Sequence, residues 1–321
     1  MVTKGRVSII SPCRNERFLS KTVADLLAKS AGDIEVIPVL DGCAPPADLP
    51  TDPRVKPLQL PDRVGMRGAI DIGALAATGE FLMKTDGHCM YAEGFDQVLK
   101  ADCEDNWIVI PRRYSLEPEE WKINPKEPVD AHYLSWPFER PGDKSCGLHG
   151  NIWRERAKAC KDVLVDDEMS SQGSCWFMMA RHKARLGHME VENYGTFCQE
   201  FQELGMKTWL GGGRVVVNKK TWYAHLHKGK KYGTGYQFNN AEWKKWIIDN
   251  ERGRLFTIRH WMFDEWAERK RDLKSLIDRF WPVPGWPADW EKQRWEFKKE
   301  LKPILGETKA PWNDVSTSEL A

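Results

Sequence analysis

The chain has 321 residues, which is enough for one large α/β domain or for one domain with an appendage. Hydrophobic residues make up 41% and charged residues 30%, a balance typical of a globular protein with a substantial core. The 48 Lys and Arg residues nearly match the 47 Asp and Glu residues, which excludes a uniformly basic nucleic-acid coat. No apolar run approaches the ~18 residues that a membrane span needs, so we expect no stable membrane insertion.

The cysteine pattern favours a reducing compartment. Eight cysteines occur without any C-x-x-C pair, and the first ten residues, MVTKGRVSII, lack the apolar stretch of a secretory signal. We therefore interpret the cysteines as mostly reduced thiols and expect a cytoplasmic protein, in a bacterial or a virus-infected cell. The sequence leaves the oligomeric state open.

The first ninety residues alternate between apolar strands and helices. Strands are predicted over 6–11, 33–42 and 80–88, and helices follow the first strand and cover 65–79. This order predicts an α/β fold with a mostly parallel sheet flanked by helices.

The following segments are predicted with less regular patterns. Residues 107–116 predict another strand, and the Pro-, Gly- and charge-rich stretch 117–150 predicts a long surface excursion. Residues 173–187 indicate a strand that enters a short helix, and 196–205 a helix that ends at a glycine. The segment 207–228 predicts two strands around a glycine turn.

The chain changes character after residue 237. The pattern becomes helical, and nine of the 16 tryptophans lie beyond residue 240. We expect a main domain over 1–237 and a Trp-rich helical region over 238–321. Its tryptophans are expected to pack on the main domain or on one another. The alternative is that they form a platform on which sugars or bases stack.

Candidate metal ligands lie where predicted strands end. Asp86 and His88 close the third strand, and Asp41 closes the second. In such sheets ligands bind at the carboxyl ends of the strands. A carboxylate with an imidazole suits Mn²⁺ or another divalent ion, and either His225 or His227 is within reach as a third ligand, because alternate residues of a strand share a face.

Several segments, in this order along the chain, resemble GT-A glycosyltransferases of the family 2 type. VSIISPCRNERFLSKTVADLL is similar to their opening strand, Pro-x-(Arg/Tyr)-Asn-Glu turn and helix, and EVIPVLDG to their second strand. The segment GMRGAIDIGALAATGEFLMKTDGHCMYAEGFDQVL resembles the part of polypeptide N-acetylgalactosaminyltransferases in which an Ala/Gly-rich helix leads to a strand that ends in Asp-x-His-Cys. GSCWFMMAR is similar to their Gly-Gly-x-Phe segment, and TWYAHLHK to Gly-His-Val-Phe-Arg. The resemblance covers roughly residues 5–236.

This resemblance implies a GT-A fold and a metal-dependent glycosyltransferase that uses a nucleotide-diphosphate sugar, with a UDP-sugar as the expected donor and Mn²⁺ (or Mg²⁺) as the cofactor. It makes His225 the third metal ligand after Asp86 and His88, and it puts Lys228 in the place of the family's Arg. The catalytic carboxylate is Glu192, Glu200 or neither, which leaves the stereochemistry open. The residues expected to contact the donor are Pro12, Arg14, Asn15, Glu16, Asp41, Arg67, Asp86, Gly173 and Trp176.

Two other functions stay open. A nucleotidyltransferase or nucleotide-sugar pyrophosphorylase also uses a parallel sheet and a metal, but normally opens with a G-x-G-T-R-type loop, which SPCRNE is not. A non-catalytic nucleotide-sugar binding module is disfavoured because Asp86, His88 and His225 are all retained. The segment 229–238 is either a loop that closes over the donor or an ordinary connector.

The acceptor is not identified by the sequence. A glycan, a protein and a hydroxymethylated base in viral DNA are the candidates. DNA is considered because basic residues cluster beside the expected site, although the region after 237 carries matching acids. The clustered lysines are Lys219, Lys220, Lys228, Lys230 and Lys231.

Overall fold

The computed structural model describes residues 2–138, 147–197, 199–233 and 240–305. Within these residues, ten strands form one mixed sheet and two short strands form a separate pair. The strands are β1 (Thr3–Cys13), β2 (Ile34–Asp41), β3 (Leu58–Leu60), β4 (Gly79–Thr85), β5 (Cys89–Tyr91), β6 (Trp107–Glu117), β7 (Lys122–Val129), β8 (His132–Leu134), β9 (Gly150–Ile152), β10 (Val165–Asp167), β11 (Cys175–Met179) and β12 (Arg214–His225).

The order of the main sheet is β10-β12-β6-β11-β4-β1-β2-β3, with β5 beside β12 and β7 beside β6. Strand β1 is parallel to β2 and β4, and β12 is parallel to β6. Because β11 is antiparallel to both β4 and β6, β4, β6 and β12 all run in the same direction. The carboxyl ends of β1, β2, β4 and β12 therefore lie along one edge of the sheet.

Helices flank this sheet, and its side chains alternate between two cores. Ile9 belongs to a core with residues of α1 and α3, whereas Ile10 belongs to a core with residues of α2, α7 and the C-terminal helices, as strand geometry requires. The helices are α1 (Leu19–Lys29), α2 (Gly65–Ala76), α3 (Phe95–Ala101), α4 (Arg154–Ala159), α5 (Ala180–Leu186), α6 (Val191–Tyr194), α7 (Glu200–Leu210), α8 (Gly229–Tyr232), α9 (Asn240–Thr257), α10 (Leu273–Phe280) and α11 (Trp290–Leu305), with a π-helical turn over Ile258–Met262.

The predicted α/β class and the alternation of strands and helices over the first ninety residues are confirmed. The sheet is mixed because β5, β7, β10 and β11 each pair antiparallel to a neighbour. These strands come from the segments after residue 88, in which the sequence pattern was least regular.

Two segment predictions are wrong. Residues 207–210 continue helix α7 and do not form a strand, because Trp209 and Leu210 extend the buried face that begins at Phe201; the segment therefore holds one strand, β12. The described part of 117–150 is not a surface excursion. It contains β7 and β8, and Leu134, Trp136 and others of its residues are buried in the core.

The described part of the Trp-rich region is helical, as predicted. Residues of this region share the core of the main sheet: Trp261 and Trp286 are buried there, and their indole N–H groups donate to Tyr194 Oη (2.9 Å) and the Leu134 carbonyl (2.7 Å). A division into domains at residue 237 stays a prediction. Of the residues that the structure describes, no run forms a helix both long enough and apolar enough to cross a bilayer.

Candidate active site

A cavity of about 380 Å³ opens at the carboxyl edge of the sheet. Its walls come from the end of β1, the turn after β4 and the residues that follow β12. Gln172 and Phe197 line it from the segments before β11 and α7. The lining residues with a charged group or an imidazole are Glu16, Asp86, His88, His225, His227 and Lys228.

Strand direction explains why distant residues meet in this cavity. Asp86 directly follows β4, and His225 is the last residue of β12. The short strand β5 pairs antiparallel with the end of β12, with Cys89 opposite His225, and this pairing brings His88 beside His225. Residues 139 positions apart therefore come within hydrogen-bond distance, with His225 Nε2 at 3.2 Å from Asp86 Oδ2.

Asp86, His88 and His225 form a group that could hold a metal ion, with donor atoms within 4.8 Å of one another. The two Nε2 atoms are 3.1 Å apart, and His88 Nε2 lies 3.8 Å from Asp86 Oδ2. One carboxylate oxygen with two imidazole nitrogens suits Mn²⁺ and similar divalent ions. The residues thus fit the ion that the sequence predicted. The ring of His227 lies 4.9 Å from that of His225, but His227 is outside the group.

Two lysines and a glutamate surround this group. Lys84 Nζ donates to Asp86 Oδ1 and to the Gly173 carbonyl (2.9 Å), which leaves Asp86 Oδ2 for the cavity. Glu16 Oε2 accepts from His88 Nδ1 (3.1 Å) and from Lys228 Nζ. The sequence analysis missed Lys84. Its signal is a lysine within an apolar strand, two positions before Asp86 and thus on the same face.

The surroundings keep the carboxylates ionised and one histidine neutral. Burial alone would raise the pKa of Asp86, but the charge of Lys84 and the hydrogen bond with His225 hold this pKa well below its usual range. Burial opposes ionisation of Glu16 as well, yet His88 and Lys228 lower its pKa. Burial lowers the pKa of His225 to about 3. The His225 imidazole is therefore neutral at neutral pH, which is the form that binds a divalent ion.

Of the residues predicted from sequence, six line the cavity: Pro12, Glu16, Asp86, His88, His225 and Lys228. Arg14 and Asn15 follow Cys13, the last residue of β1; Arg14 pairs with Glu242 of α9 at 3.1 Å, and Asn15 has a φ of 49°. Gly173 contributes its carbonyl to Lys84.

The other predicted residues are placed elsewhere among the described residues. Asp41 is fully buried, and its two oxygens accept the backbone N–H groups of Val64 (2.6 Å) and Gly65 (2.9 Å). It therefore anchors the start of α2. Trp176 is fully buried within β11 as part of the core. The described lining of the cavity includes neither residue.

Arg67, Glu192 and Glu200 also lie outside the described lining of the cavity. Arg67 is fully buried because α2 packs it against α7, where it pairs with Glu203. Glu192 is exposed on the four-residue helix α6, and Glu200 is the first residue of α7. The structure therefore brings neither predicted catalytic carboxylate to the cavity wall.

Sequence reasoning also missed a buried polar chain behind the cavity. Arg113 donates to Gln172, which lines the cavity, and its other Nη lies 3.3 Å from His132 Nε2. His132 Nδ1 in turn lies within hydrogen-bond distance of Glu168 Oε1, at 2.8 Å. Burial, and then the charge of Arg113, lower the pKa of His132 to about 3. No local motif signals this chain, because its members come from three separate segments: β6, β8 and the stretch between β10 and β11.

Comparison with known proteins supports the fold. Residues 8–159 match the family model described as glycosyl transferase family 2. No curated protein sequence matches the chain significantly. Among solved structures, GalNAc-T7 with UDP, GalNAc and Mn²⁺ aligns with a TM-score of 0.58 and 17% identity, over 76% of this chain and 47% of that protein. The chain thus spans about half the length of GalNAc-T7.

Two further structures are similar at a lower level. S. aureus TarS in complex with UDP-GlcNAc has a TM-score of 0.46 and 14% identity, over 80% of this chain and 73% of that one. The Pyrobaculum calidifontis mannosyltransferase PcManGT, with GDP-Man and Mn²⁺, has a TM-score of 0.46 and 14% identity, over 81% and 64%. The likeness to GalNAc-T7 confirms the fold recognised from the motifs: the chain has a GT-A fold, and residues 8–159 of it match the family 2 model.

Proposed function

We propose that the protein is a metal-dependent glycosyltransferase that moves a sugar from a nucleotide-diphosphate sugar to a hydroxyl acceptor. The observation that carries this proposal is the convergence of Asp86 Oδ2, His88 Nε2 and His225 Nε2 in a cavity at the carboxyl edge of a GT-A sheet. A nucleotide-binding fold without catalysis has no need for such a donor set beside an open cavity.

The chemistry follows from the charge of the leaving group. When the glycosidic bond breaks, the nucleotide diphosphate gains negative charge, and a divalent ion held by Asp86, His88 and His225 would neutralise it as a Lewis acid. Lys228 lines the same cavity, so its ammonium adds electrostatic stabilisation to the diphosphate. Within the described lining, the carboxylates are Glu16 and Asp86, and both pair with lysines. The proposal therefore assigns no general base.

We infer that the donor is a UDP-sugar and the ion Mn²⁺. The support is the Asp-x-His pattern followed by His225, together with the motifs from which this donor was expected. GalNAc-T7, which shares the fold, was solved with UDP, GalNAc and Mn²⁺. The acceptor is a glycan, a protein or a hydroxymethylated DNA base.

A nucleotide-release assay tests the reaction class. The purified protein is incubated with UDP-sugars, with and without Mn²⁺, and UDP release is followed. We expect slow Mn²⁺-dependent release by hydrolysis, which His88→Ala abolishes. UDP binding without release would indicate a non-catalytic module. In a parallel incubation with added pyrophosphate, formation of UTP and sugar 1-phosphate would indicate a pyrophosphorylase.

A gel-shift titration with duplex DNA tests the DNA acceptor. Binding with a steep dependence on salt, followed by Mn²⁺-dependent transfer to hydroxymethylated DNA, would establish it, and no shift at low salt would exclude it.

The cytoplasmic location also stays a prediction. The six described cysteines are free thiols, whereas Cys146 and Cys198 lie outside the described residues. Thiol counting in denaturant tests all eight.

A further inference from the structure

The carboxylate of Glu16 links three segments at the edge of the sheet. Its Oε2 accepts from His88 Nδ1 at 3.1 Å and from Lys228 Nζ, and its Oε1 accepts the backbone N–H of Phe18 at 3.2 Å. The Glu16 side chain is only 3% exposed. Both oxygens are thus engaged by the protein, an arrangement unlike that of a residue kept for direct contact with a nucleotide.

This contact determines which nitrogen of His88 can bind a metal. An ionised carboxylate only accepts hydrogen bonds, so Nδ1 of His88 carries a proton. In the neutral imidazole Nε2 then presents a lone pair, and it is Nε2 that lies 3.1 Å from His225 Nε2 and 3.8 Å from Asp86 Oδ2. Glu16 therefore holds His88 in the tautomer and the orientation that a metal ligand needs.

The three candidate ligands are not held equally. Lys84 fixes Asp86 through Oδ1, and Glu16 fixes His88 through Nδ1. By contrast, Nδ1 of His225 is buried and has no hydrogen-bond partner among the described residues. Among the described residues, therefore, a side chain holds Nδ1 of His88 but none holds Nδ1 of His225.

We propose that Glu16 is a positioning residue of the metal site, not the donor contact that the sequence predicted. It orients His88 and, through the same oxygen, places the ammonium of Lys228 beside the metal group. This inference rests on the proposed function, since it assumes that Asp86, His88 and His225 bind a divalent ion. Loss of such an outer partner typically lowers metal affinity about 10- to 100-fold.

The test measures Mn²⁺ binding directly, without turnover. Free Mn²⁺ is titrated by electron paramagnetic resonance with the full chain, and the visible spectrum of bound Co²⁺ reports the coordination. The variant is Glu16→Gln, whose amide can donate to an unprotonated Nδ1 and so permits the other tautomer. The matched control is Glu35→Gln, which removes a buried carboxylate that bridges Lys56, Ser8 and Thr78 away from the cavity.

The expected result is a 10- to 100-fold weaker Mn²⁺ affinity and a changed Co²⁺ spectrum in Glu16→Gln, with the affinity of Glu35→Gln within twofold of the parent. Circular dichroism confirms folding.

Should Glu16→Gln not fold, Glu16→Asp replaces it. Its shorter side chain withdraws the carboxylate from His88, so at least threefold weaker Mn²⁺ binding is then expected. Parent-like affinity and spectrum in the folded variant overturn the role of Glu16 alone. Absence of Mn²⁺ binding in the parent overturns both this inference and the proposed metal dependence.

Discussion

Two clusters of buried charge in this molecule differ in what surrounds them. In the metal group, Asp86, His88 and His225 face a cavity, and part of their hydrogen-bonding capacity points into it. In the second cluster, Arg67 and Glu203 are 0% and 1% exposed and pair with each other. Burial and charge alone therefore do not mark a functional residue. An open side toward a cavity is needed as well.

The second cluster is satisfied within the protein. Arg67 donates to Glu203 and to the Glu190 carbonyl (3.2 Å), and its guanidinium lies 4.1 Å from the centre of the Tyr194 ring. Lys207 also pairs with Glu203 at 2.7 Å. These contacts join α2 to α6 and α7. The arginine that the resemblance assigned to the donor thus connects helices, and its loss is expected to affect stability before binding.

The largest effect is expected for Arg67→Met. Removing one partner of a buried ion pair leaves the other charge unpaired, which typically costs about 3–5 kcal/mol. Urea unfolding should show this loss, while the Mn²⁺ affinity of the folded fraction stays near that of the parent. The companion variant Glu203→Gln should lose a comparable amount. If Arg67→Met were instead as stable as the parent and unable to bind UDP, Arg67 would be a donor residue after all.

His225→Ala tests the first cluster, the metal group. This variant removes one of three candidate ligands, so the Mn²⁺-dependent gain in UDP affinity should fall by about 100-fold or more. Calorimetry with UDP, with and without Mn²⁺, measures the effect. His227→Ala is the control, because its imidazole lines the same cavity but lies outside the metal group. An equal loss of the Mn²⁺ response in both variants would contradict the assignment of His225.

The sequence predicted much of the site because strand ends are recognisable. Asp86, His88 and His225 stand at or just beyond the ends of apolar strands, and parallel strands bring their carboxyl ends to one edge. The buried pairing of Arg67 was not predicted because its partner, Glu203, lies 136 residues away, a separation that no local pattern reveals. Lys84 and Glu16 act through neighbours, and such roles depend on contacts that form only in the folded chain.

The parts of the fold that escaped prediction have local causes. The run KTWL before the glycines is short and apolar, and such runs fit a strand and a buried helix end equally well. Strand β7, KINPKEPV, contains two prolines and pairs only with β6 among the described strands. Prolines are tolerated in edge strands, but they suppress the alternation by which a strand is recognised.

Glu35→Gln tests another buried charge through the pH dependence of the free energy of unfolding. The contacts of Glu35 with Lys56, Ser8 and Thr78 outweigh its burial and lower its pKa from 4.5 to about 2. A lowered carboxylate pKa stabilises the folded state above pH 4.5, and this stabilisation is lost as pH falls toward 2. Lys56 is half exposed, so solvent screening reduces the contribution to about 1–2 kcal/mol. Urea unfolding should show this gap between parent and variant at pH 7, closing by about pH 2. A gap that stays constant with pH would contradict the ionic origin.

The smallest effect is expected for Glu242→Gln, which probes the partly exposed ion pairs between α9 and the residues Arg14 and Arg63. Glu242 of α9 pairs with Arg14 (3.1 Å) and with Arg63 (2.7 Å), and all three side chains are about one-fifth exposed. Ion pairs with this access to water contribute about 0–1 kcal/mol, so the free energy of unfolding should change little.

Arg14 was predicted to contact the nucleotide. If it does, removal of the carboxylate leaves more positive potential for the diphosphate and raises UDP affinity by about two- to fivefold at low salt, an increase that salt screens. Asp278→Asn is the matched control, since it makes the same charge change in a surface pair with Lys274 on α10. A gain in UDP affinity in both variants would show a general effect of net charge, and a gain in neither would separate Arg14 from the donor.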